Sequence, residues 1–364
     1  MPSTHTLNTI RYDSQSKTFV SKATKREVGP YDVLIRTTHS GLCTTDVHAK
    51  GSGCGLGHEG IGIVEEVGEH VTKFFEGDRA GWGWLHSSCQ YCKTCVSGYR
   101  QYCAEARGFA FSDHDQGALS DYRIINAAFA YQIPPMISSL HAAPLMCAGA
   151  STYEALQAAG TKPSHSVGVV GIGGLGHVAI MFARAMGCEV TAISSGRSKS
   201  EDAFNLGADW FRSTDELVKP GGSWDWEGKS RRSPSPYGDQ PEVQKHVDTS
   251  GPSPIDVLLI TSNAVPDLEP YLPILARRAT IVLMTIQQDP VTIPYMPFVL
   301  PGHRLIASTE ASLQNHLEML DFVAVNKIRP WVEKFDMDLE GVARAFDRLE
   351  SGQMRYRGVL VREG

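Results

Sequence analysis

Apolar runs of strand length alternate with a helical pattern in the second half of the chain. The run SVGVV (Ser166–Val170) is followed by the turn sequence GIGGLG and by HVAIMFARAMG, in which apolar residues recur at helical spacing. Three more apolar runs, EVTAIS, IDVLLI and ATIVLM, occupy Glu189–Ser194, Ile255–Ile260 and Ala279–Met284. Buried strands that alternate with helices predict an α/β fold with a parallel, doubly wound sheet.

Length and composition predict a second domain beside that sheet. The chain has 364 residues, too long for one comfortable core, and its 42% hydrophobic residues are enough to fill two. A stretch rich in Pro, Gly, Ser and charge runs from Lys219 to Pro254 and predicts a surface insertion, to which we assign no chemistry.

Charge and the start of the sequence bear on partners and compartment. The net charge is -6 and no Lys/Arg run is sustained, which argues against nucleic acid or an anionic membrane as the main partner. The sequence begins without an apolar signal region and contains no apolar stretch of membrane-spanning length. We therefore expect a cytoplasmic, reducing setting, where thiols bind metals more readily than they form disulfides.

Four of the eight cysteines lie together in SSCQYCKTCVSGYRQYC. Four thiolates on one short loop can close a tetrahedral shell around zinc. A disulfide pair is disfavoured by the compartment, and bacterial iron–sulfur runs close with CxxxCP instead of a seven-residue gap. We predict a structural zinc site formed by Cys89, Cys92, Cys95 and Cys103.

A second ligand set is distributed over three segments: Cys43 in CTTDVH, His58 in GHEGIG and Cys147 in PLMCAG. Two thiolates and one neutral imidazole match a catalytic zinc, because they leave a fourth position for water, alcohol or aldehyde. A single cysteine is more often a small buried apolar residue, so this prediction depends on all three residues together.

The turn GIGGLG predicts a dinucleotide site. Gly171 permits the sharp turn, Gly173 lets the backbone approach a pyrophosphate, and Gly176 allows close packing of helix on strand, with Gly174 and Leu175 completing the loop. Glycine turns are common, but this one has a strand before it, a helix after it and a second strand at the expected distance.

The end of that second strand predicts which dinucleotide binds. The acidic residue that would hold the ribose 2′-hydroxyl of NAD is missing, and Ser194, Ser195, Arg197 and Lys199 stand there instead. Hydroxyls and cations suit a 2′-phosphate, so we predict NADP(H). The alternative is that Arg197 and Lys199 only solvate a loop.

Over nearly its full length the sequence resembles the zinc-dependent medium-chain alcohol dehydrogenases, and within them the cinnamyl alcohol dehydrogenase and aldehyde reductase branch. The resemblance rests on GLCTTDVH, GHEGIGIVEEVG, GDRAG, the four-cysteine loop, PLMCAGASTY, VGVVGIGGLGH and YRGVLV. It implies a GroES-like, β-rich catalytic domain (1–149 and 291–364), a Rossmann cofactor-binding domain (150–290, with the insertion at about 219–254) and an active-site cleft where they meet. We expect a homodimer or homotetramer.

The resemblance also implies roles around the predicted catalytic zinc. Glu59 would lie beside the metal as an occasional fourth ligand, and Asp46 would orient the imidazole of His58. Thr45 would bond the substrate oxygen, and His48 would pass the substrate's proton to solvent. A turn hydroxyl, a structural histidine and a helix cap are the alternatives for Thr45, His48 and Asp46.

Further positions bear on cofactor and pocket. Ser151 stands where relatives place Thr against the nicotinamide, and Arg357 matches a pyrophosphate contact. Trp84 matches an aromatic residue that narrows the substrate pocket, with a plain core Trp as the alternative. The segment AKGSGCGLG is shorter than in the family, which predicts a more open pocket. With Phe109 and Phe111 nearby, unless these only pack the domain, we expect medium-sized or aromatic substrates.

Together these features predict an NADPH-dependent zinc reductase of aldehydes, acting reversibly on primary alcohols, with two zinc ions per chain. A reductase of polarised C=C or C=N bonds on the same scaffold is one alternative, and a ketone or secondary alcohol dehydrogenase is another. A non-enzymatic protein that retains the fold is a third. Intact Cys43, Thr45, His58 and Cys147 weigh against the first and the third.

Overall fold

The computed structural model describes residues 3–217 and 251–362, so most of the insertion predicted at 219–254 lies outside the described residues. The chain divides into two compact units. The larger comprises Met1–Ala158, Gly173–Phe182 and Ser308–Gly364, and the smaller comprises Ala159–Ile172 and Ala183–Ala307.

Strands and helices are numbered here in chain order over the described residues. The strands are β1 (Thr4–Asp13), β2 (Thr18–Glu27), β3 (Asp32–Leu42), β4 (Glu59–Val67), β5 (Arg79–Trp82), β6 (Leu85–Ser87), β7 (Arg107–Gly108), β8 (Tyr122–Asn126), β9 (Tyr131–Gln132), β10 (Ser166–Val170), β11 (Glu189–Ser194), β12 (Trp210–Ser213), β13 (Ile255–Ile260), β14 (Leu275–Leu283), β15 (Arg304–Ala307), β16 (Val332–Asp336) and β17 (Arg357–Val361). The α-helices are α1 (Thr44–Ala49), α2 (Lys93–Val96), α3 (Ser139–Pro144), α4 (Ala150–Ala158), α5 (Gly176–Ala185), α6 (Ser200–Leu206), α7 (Tyr295–Val299), α8 (Leu313–Asn326) and α9 (Leu339–Glu350), and a π-helical turn spans Leu145–Gly149.

The smaller unit contains a parallel six-stranded sheet in the order β12-β11-β10-β13-β14-β15, which confirms the predicted fold class. Three predicted strands match β10, β11 and β13 residue for residue, because each is a short and largely buried run rich in apolar residues. The half-exposed β12 and β15 carry no such run and were not predicted. Since β15 pairs with β14, the sheet extends to Ala307, beyond the expected domain boundary at 290.

The order of this sheet reverses between β10 and β13, which is where ligands bind in such sheets. The backbone N–H of Thr261, after β13, donates to the carbonyl of Val170 at 2.9 Å, and its hydroxyl donates to the carbonyl of Gly171 at 2.7 Å. Gly171 has a φ of 92°, and a Cβ there would approach the backbone of Ser262 to 2.9 Å. The glycine turn therefore begins at the switch point of the sheet.

The larger unit is built around a seven-stranded sheet, in the order β16-β17-β3-β4-β5-β9 with β8 also paired to β3. β17 runs antiparallel to β3, so segments from the two ends of the chain lie side by side. Apolar side chains of β3 and β4, including Val33, Ile35 and Val64, pack with Phe74 and Phe129 in a buried cluster. In the part of the chain that the structure describes, no helix has the length and apolar character needed to cross a membrane.

Candidate active site

Three adjacent strands of the larger unit bring distant residues to one edge of its sheet. β3 ends at Leu42, β4 begins at Glu59 and β17 begins at Arg357. The register pairs Gly41 with Glu59 and Leu42 with Gly358, so Cys43 and His58 lie just beyond neighbouring strand ends.

The predicted metal-binding side chains meet at this edge. Ligand atoms of Cys43, His58, Glu59 and Cys147 all lie within 4.8 Å of one another. Cys147 comes from the π-helical turn, a local distortion that is frequent at functional sites. The thiol of Cys147, by hydrogen bonding, holds the pKa of Cys43 well below its ordinary value, although burial opposes this. Two sulfurs, one imidazole and one carboxylate, all buried except the half-buried Cys43, fit a zinc ion.

Asp46 orients this ligand set from α1. Its carboxylate accepts hydrogen bonds from the backbone N–H groups of Cys43 at 3.0 Å and Gly57 at 2.9 Å, and lies 3.3 Å from Nδ1 of His58. Nε2 of His58 faces the other way, 4.0 Å from Oε1 of Glu59. This arrangement matches the carboxylate–histidine–metal pattern in which one imidazole nitrogen is held so that the other can bind a metal.

Glu59 and Arg357 form a buried ion pair beside the cluster. Burial raises the pKa of Glu59 to about 7, and the charge of Arg357 opposes that rise. The other carboxylate oxygen of Glu59 is buried without a hydrogen-bond partner among the described residues. A Cβ at Gly174 would lie 2.8 Å from a guanidinium nitrogen of Arg357. The structure thus places Arg357 between Gly174 and Glu59, a pairing that the sequence did not predict.

Thr45 and His48, which the resemblance implies as a proton relay, both lie on α1. The hydroxyl oxygen of Thr45 is 3.7 Å from Sγ of Cys43 and is half-buried, whereas His48 is exposed. A hydroxyl near the candidate metal ligands and an exposed imidazole about one helical turn further are compatible with the predicted transfer of a proton from the substrate to solvent.

The aromatic residues predicted near the pocket have different surroundings. Phe109 is buried and stacks on the imidazole of His58, with ring centroids 4.8 Å apart, so it supports a predicted metal ligand. Phe111 is 81% exposed and meets Trp84 edge to face at 6.1 Å. Trp84 is half-buried and packs against the core cluster that includes Phe109, which matches the packing alternative. Ser151 is half-buried in α4.

Backbone hydrogen bonds hold the short segment between α1 and His58 in place. The N–H of Gly55 donates to the carbonyl of His114 at 2.9 Å, and the N–H of Leu56 donates to the carbonyl of Ile10 at 3.0 Å. The carbonyl of Leu56 accepts from the N–H of Leu119 at 2.8 Å. Residues 54–58 are all buried. The segment therefore leads to His58 along a fixed path.

The four clustered cysteines form a separate site in the larger unit. Their sulfurs lie 3.8 Å apart for Cys89 and Cys95, 3.8 Å for Cys92 and Cys103, and 3.5 Å for Cys89 and Cys103. A tetrahedral shell with Zn–S bonds of about 2.3 Å has sulfurs about 3.8 Å apart, whereas a disulfide needs about 2.05 Å. The spacing fits zinc, and all four cysteines are free thiols.

The residues predicted to bind the 2′-phosphate of NADP(H) lie in the smaller unit, at the end of β11 and just after it. Arg197 is 73% exposed and forms an ion pair with Glu216. The ammonium of Lys199 donates to the carbonyl of Ile172, within the glycine turn, at 2.6 Å. Ser194 pairs in register with Ser213. Sequence reasoning missed Glu216, the ion-pair partner of Arg197.

Glu310 is a second residue that sequence reasoning missed. It lies in ASTEAS, ahead of α8, with a φ of 54°, uncommon for a residue other than glycine. Its carboxylate interacts electrostatically with His58, Cys43 and Glu59, and burial raises its pKa to about 7. No local sequence pattern distinguishes Glu310. The one available signal was that an acidic residue follows the predicted strands of the Rossmann domain.

Two family models match most of the chain. Residues 29–135 match the alcohol dehydrogenase GroES-like domain, and residues 174–324 match the zinc-binding dehydrogenase model. Among curated proteins, cinnamyl alcohol dehydrogenase 8 of Arabidopsis thaliana is 33% identical over 93% of this chain and 89% of its own length. NADP-dependent alcohol dehydrogenase C 1 of Mycolicibacterium smegmatis is 32% identical over 93% and 92%.

Solved structures give the same picture. A cinnamyl alcohol dehydrogenase of Sorghum bicolor has a TM-score of 0.81 and 27% identity, covering 99% of this chain and 98% of that one. The corresponding enzyme of Helicobacter pylori, complexed with NADP(H), has a TM-score of 0.82 and 25% identity, covering 99% of each chain.

Proposed function

The chain belongs to the medium-chain zinc-binding alcohol dehydrogenase family, whose members interconvert alcohols and carbonyl compounds, and we propose that it is an NADP(H)-dependent zinc enzyme for aldehydes and primary alcohols. The observation that carries the proposal is that the ligand atoms of Cys43, His58, Glu59 and Cys147 lie close together, with Asp46 beside the imidazole of His58. These groups come from separate segments of the chain, and together they supply enough ligand atoms to hold a metal ion.

In this proposal Cys43, His58 and Cys147 hold the catalytic zinc, and Glu59 stands beside it. Zinc in such a ligand set polarises a carbonyl oxygen, while the nicotinamide supplies or accepts hydride. Thr45 donates a hydrogen bond to the substrate oxygen, and the exposed His48 exchanges the proton with solvent. The shell of Cys89, Cys92, Cys95 and Cys103 holds a second, structural zinc.

NADP(H) is favoured over NAD(H) by the groups at the end of β11. Ser194 and Ser195 offer hydroxyls where a carboxylate would repel a 2′-phosphate, and Arg197 and Lys199 supply positive charge. The NADP dependence named for the Mycolicibacterium relative and the NADP(H) in the Helicobacter structure are consistent with this choice. The expected homodimer or homotetramer stays a prediction.

A substrate series tests the proposed reaction. With NADPH, kcat/KM should be highest for cinnamaldehyde, lower for acetaldehyde and lowest for benzalacetone, the methyl ketone matched to cinnamaldehyde. Cinnamyl alcohol should be the product. A highest value for acetaldehyde or for the ketone would refute the pocket argument. Formation of 3-phenylpropanal would show reduction of the C=C bond and would replace the proposed function with its first alternative.

A further inference from the structure

His177 is the first residue after the glycine turn, and its side chain is completely buried. Nδ1 of the imidazole lies 3.1 Å from the carbonyl oxygen of Gly173. Because a carbonyl can only accept a hydrogen bond, Nδ1 carries the proton and donates it. Nε2 is then an acceptor, and it has no hydrogen-bond partner among the described residues. Burial lowers the pKa of His177 to about 3, so the imidazole is neutral at physiological pH.

Packing alone does not account for an imidazole at this position. The ring of His177 stacks on the ring of Tyr356, with centroids 5.3 Å apart and planes 18° apart. A phenyl ring could stack in the same way without a buried nitrogen. Nε2 has lost its hydration without a compensating hydrogen bond, which is unfavourable. The contact that a phenyl ring could not supply is the hydrogen bond from Nδ1 to Gly173.

The carbonyl of Gly173 accepts two hydrogen bonds from His177, one from the backbone N–H at 3.0 Å and one from Nδ1 at 3.1 Å. This carbonyl belongs to the trans peptide unit that joins Gly173 to Gly174. In a planar trans peptide the N–H points opposite to the C=O. Since the carbonyl is held toward the buried imidazole, the N–H of Gly174 is directed away from it. Glycines on both sides would otherwise let this peptide reverse at little cost.

The surroundings of this peptide suit an anion. A Cβ added at Gly173 would meet no atom within 4 Å, so the space beside it is open. A Cβ at Gly174 would lie 2.8 Å from a guanidinium nitrogen of Arg357. In the part of the chain that the structure describes, the N–H of Gly174 donates to no backbone carbonyl. An outward N–H beside a guanidinium favours a phosphate group, whereas a reversed peptide would present the Gly173 carbonyl and repel it.

We propose that His177 is a positioning residue for the cofactor, whose Nδ1–H holds the Gly173–Gly174 peptide so that the N–H of Gly174 is directed at the pyrophosphate. This inference rests on the proposed function, because it requires a dinucleotide at the glycine turn. Losing one hydrogen bond to a charged phosphate should weaken binding roughly tenfold.

Calorimetric titration with two cofactor fragments tests the inference without turnover. The fragment 2′-phospho-ADP-ribose contains the pyrophosphate, and adenosine 2′-phosphate lacks it. His177→Phe keeps the stacked ring and removes the donor, so it should bind 2′-phospho-ADP-ribose about tenfold more weakly and adenosine 2′-phosphate within about twofold of the unmodified protein. His177→Asn loses the ring but keeps an N–H close to the position of Nδ1, so its affinity for 2′-phospho-ADP-ribose should stay within about threefold. His316→Phe, the same change at another buried and stacked histidine, is the matched control and should alter neither affinity.

The outcomes separate this inference from the proposed function. Unchanged binding of 2′-phospho-ADP-ribose by His177→Phe would refute the role of His177, and so would an equal loss in His177→Asn, because the stacked ring would then be what matters. Equal weakening of both fragments would also refute it, since that pattern belongs to a general structural defect. His177→Leu removes the same donor and replaces His177→Phe if the latter does not fold. If the unmodified protein does not bind 2′-phospho-ADP-ribose, the proposed cofactor is wrong and this inference fails with it.

Discussion

The guanidinium of Arg357, at the start of β17, donates a hydrogen bond to Oε1 of Glu59, at the start of β4, and both side chains are buried. The pair joins two strands of the larger unit that lie on either side of β3. Burial alone would lower the pKa of Arg357, but the charge of Glu59 keeps it above its ordinary value. Glu59 thus keeps Arg357 protonated, and Arg357 opposes the neutralisation that burial favours at Glu59.

Breaking this pair should be costly. Glu59→Gln and Arg357→Met should each lower the free energy of unfolding by about 3–5 kcal/mol, because each leaves an uncompensated buried charge. The double variant should lose far less than the sum, since both charges are then gone. Urea denaturation of the four proteins measures the coupling.

The exposed pair Arg344 and Glu340, in contact at 2.8 Å on α9, provides the control cycle. Its coupling should be about 0.5 kcal/mol or less, because water screens both charges. Equal coupling energies for the two pairs would contradict the importance assigned to burial.

Arg197 should contribute to the choice of NADPH, although Glu216 competes for it. Arg197→Ala should reduce the ratio of kcat/KM for NADPH over NADH roughly tenfold, because a charged contact to the 2′-phosphate is lost. Glu216→Gln should raise that ratio, because Arg197 is released from its ion pair. Arg184→Ala removes another exposed, ion-paired arginine of the smaller unit and should leave the ratio unchanged. A ratio near one in the unmodified protein would disprove the cofactor assignment.

His316 should make the fold sensitive to acid. It is buried against Tyr131, with ring centroids 3.6 Å apart, and Nε2 has no hydrogen-bond partner among the described residues. Burial, with smaller effects of Arg100 and Lys73, lowers the pKa of His316 to about 3 from an ordinary value of 6.5. Between these values the unfolded chain binds a proton that the folded chain does not, so this contribution to stability is lost as the pH falls below 6.5.

His316→Phe keeps the stacked ring and removes the titrating group. Relative to the unmodified protein, its free energy of unfolding should improve by about 1.4 kcal/mol for each pH unit between about pH 6 and pH 4. His70→Phe, at an exposed histidine, should show no such trend. Because any loss of metal in acid affects both proteins alike, it cancels in the difference between their free energies of unfolding at each pH. Parallel stability curves for His316→Phe and the unmodified protein would contradict the expected sensitivity.

Local patterns in the sequence predicted the buried strands and the glycine turn because these features repeat over neighbouring residues. Continuous apolar runs gave β10, β11 and β13, whereas the half-exposed β12 and β15 lack that signal. The candidate metal ligands could be predicted because thiols and imidazoles are chemically distinctive, and the structure brings Cys43, His58 and Cys147 together.

Contacts between residues far apart in sequence could not be read from such patterns. The pairing of Arg357 with Glu59 depends on the order of β17, β3 and β4, which periodicity does not specify. Arg357 was predicted only as a pyrophosphate contact, a role that stays a prediction. Glu310 was missed for the same reason, since its neighbours Thr309 and Ser312 are held by Tyr102 and Glu154, which lie far away in the sequence.

The most direct test of the account measures zinc content and NADPH-dependent cinnamaldehyde turnover in the same preparations of the unmodified protein, Cys147→Ser and Cys92→Ser. The unmodified protein should contain two zinc ions per chain and be active. Cys147→Ser should lose one zinc and its turnover while unfolding at nearly the same urea concentration. Cys92→Ser should lose the other zinc and chiefly become less stable, because structural zinc binding is coupled to folding. One zinc or fewer in fresh, unchelated protein, or full turnover in Cys147→Ser, would contradict the assignment of a catalytic zinc to this cluster.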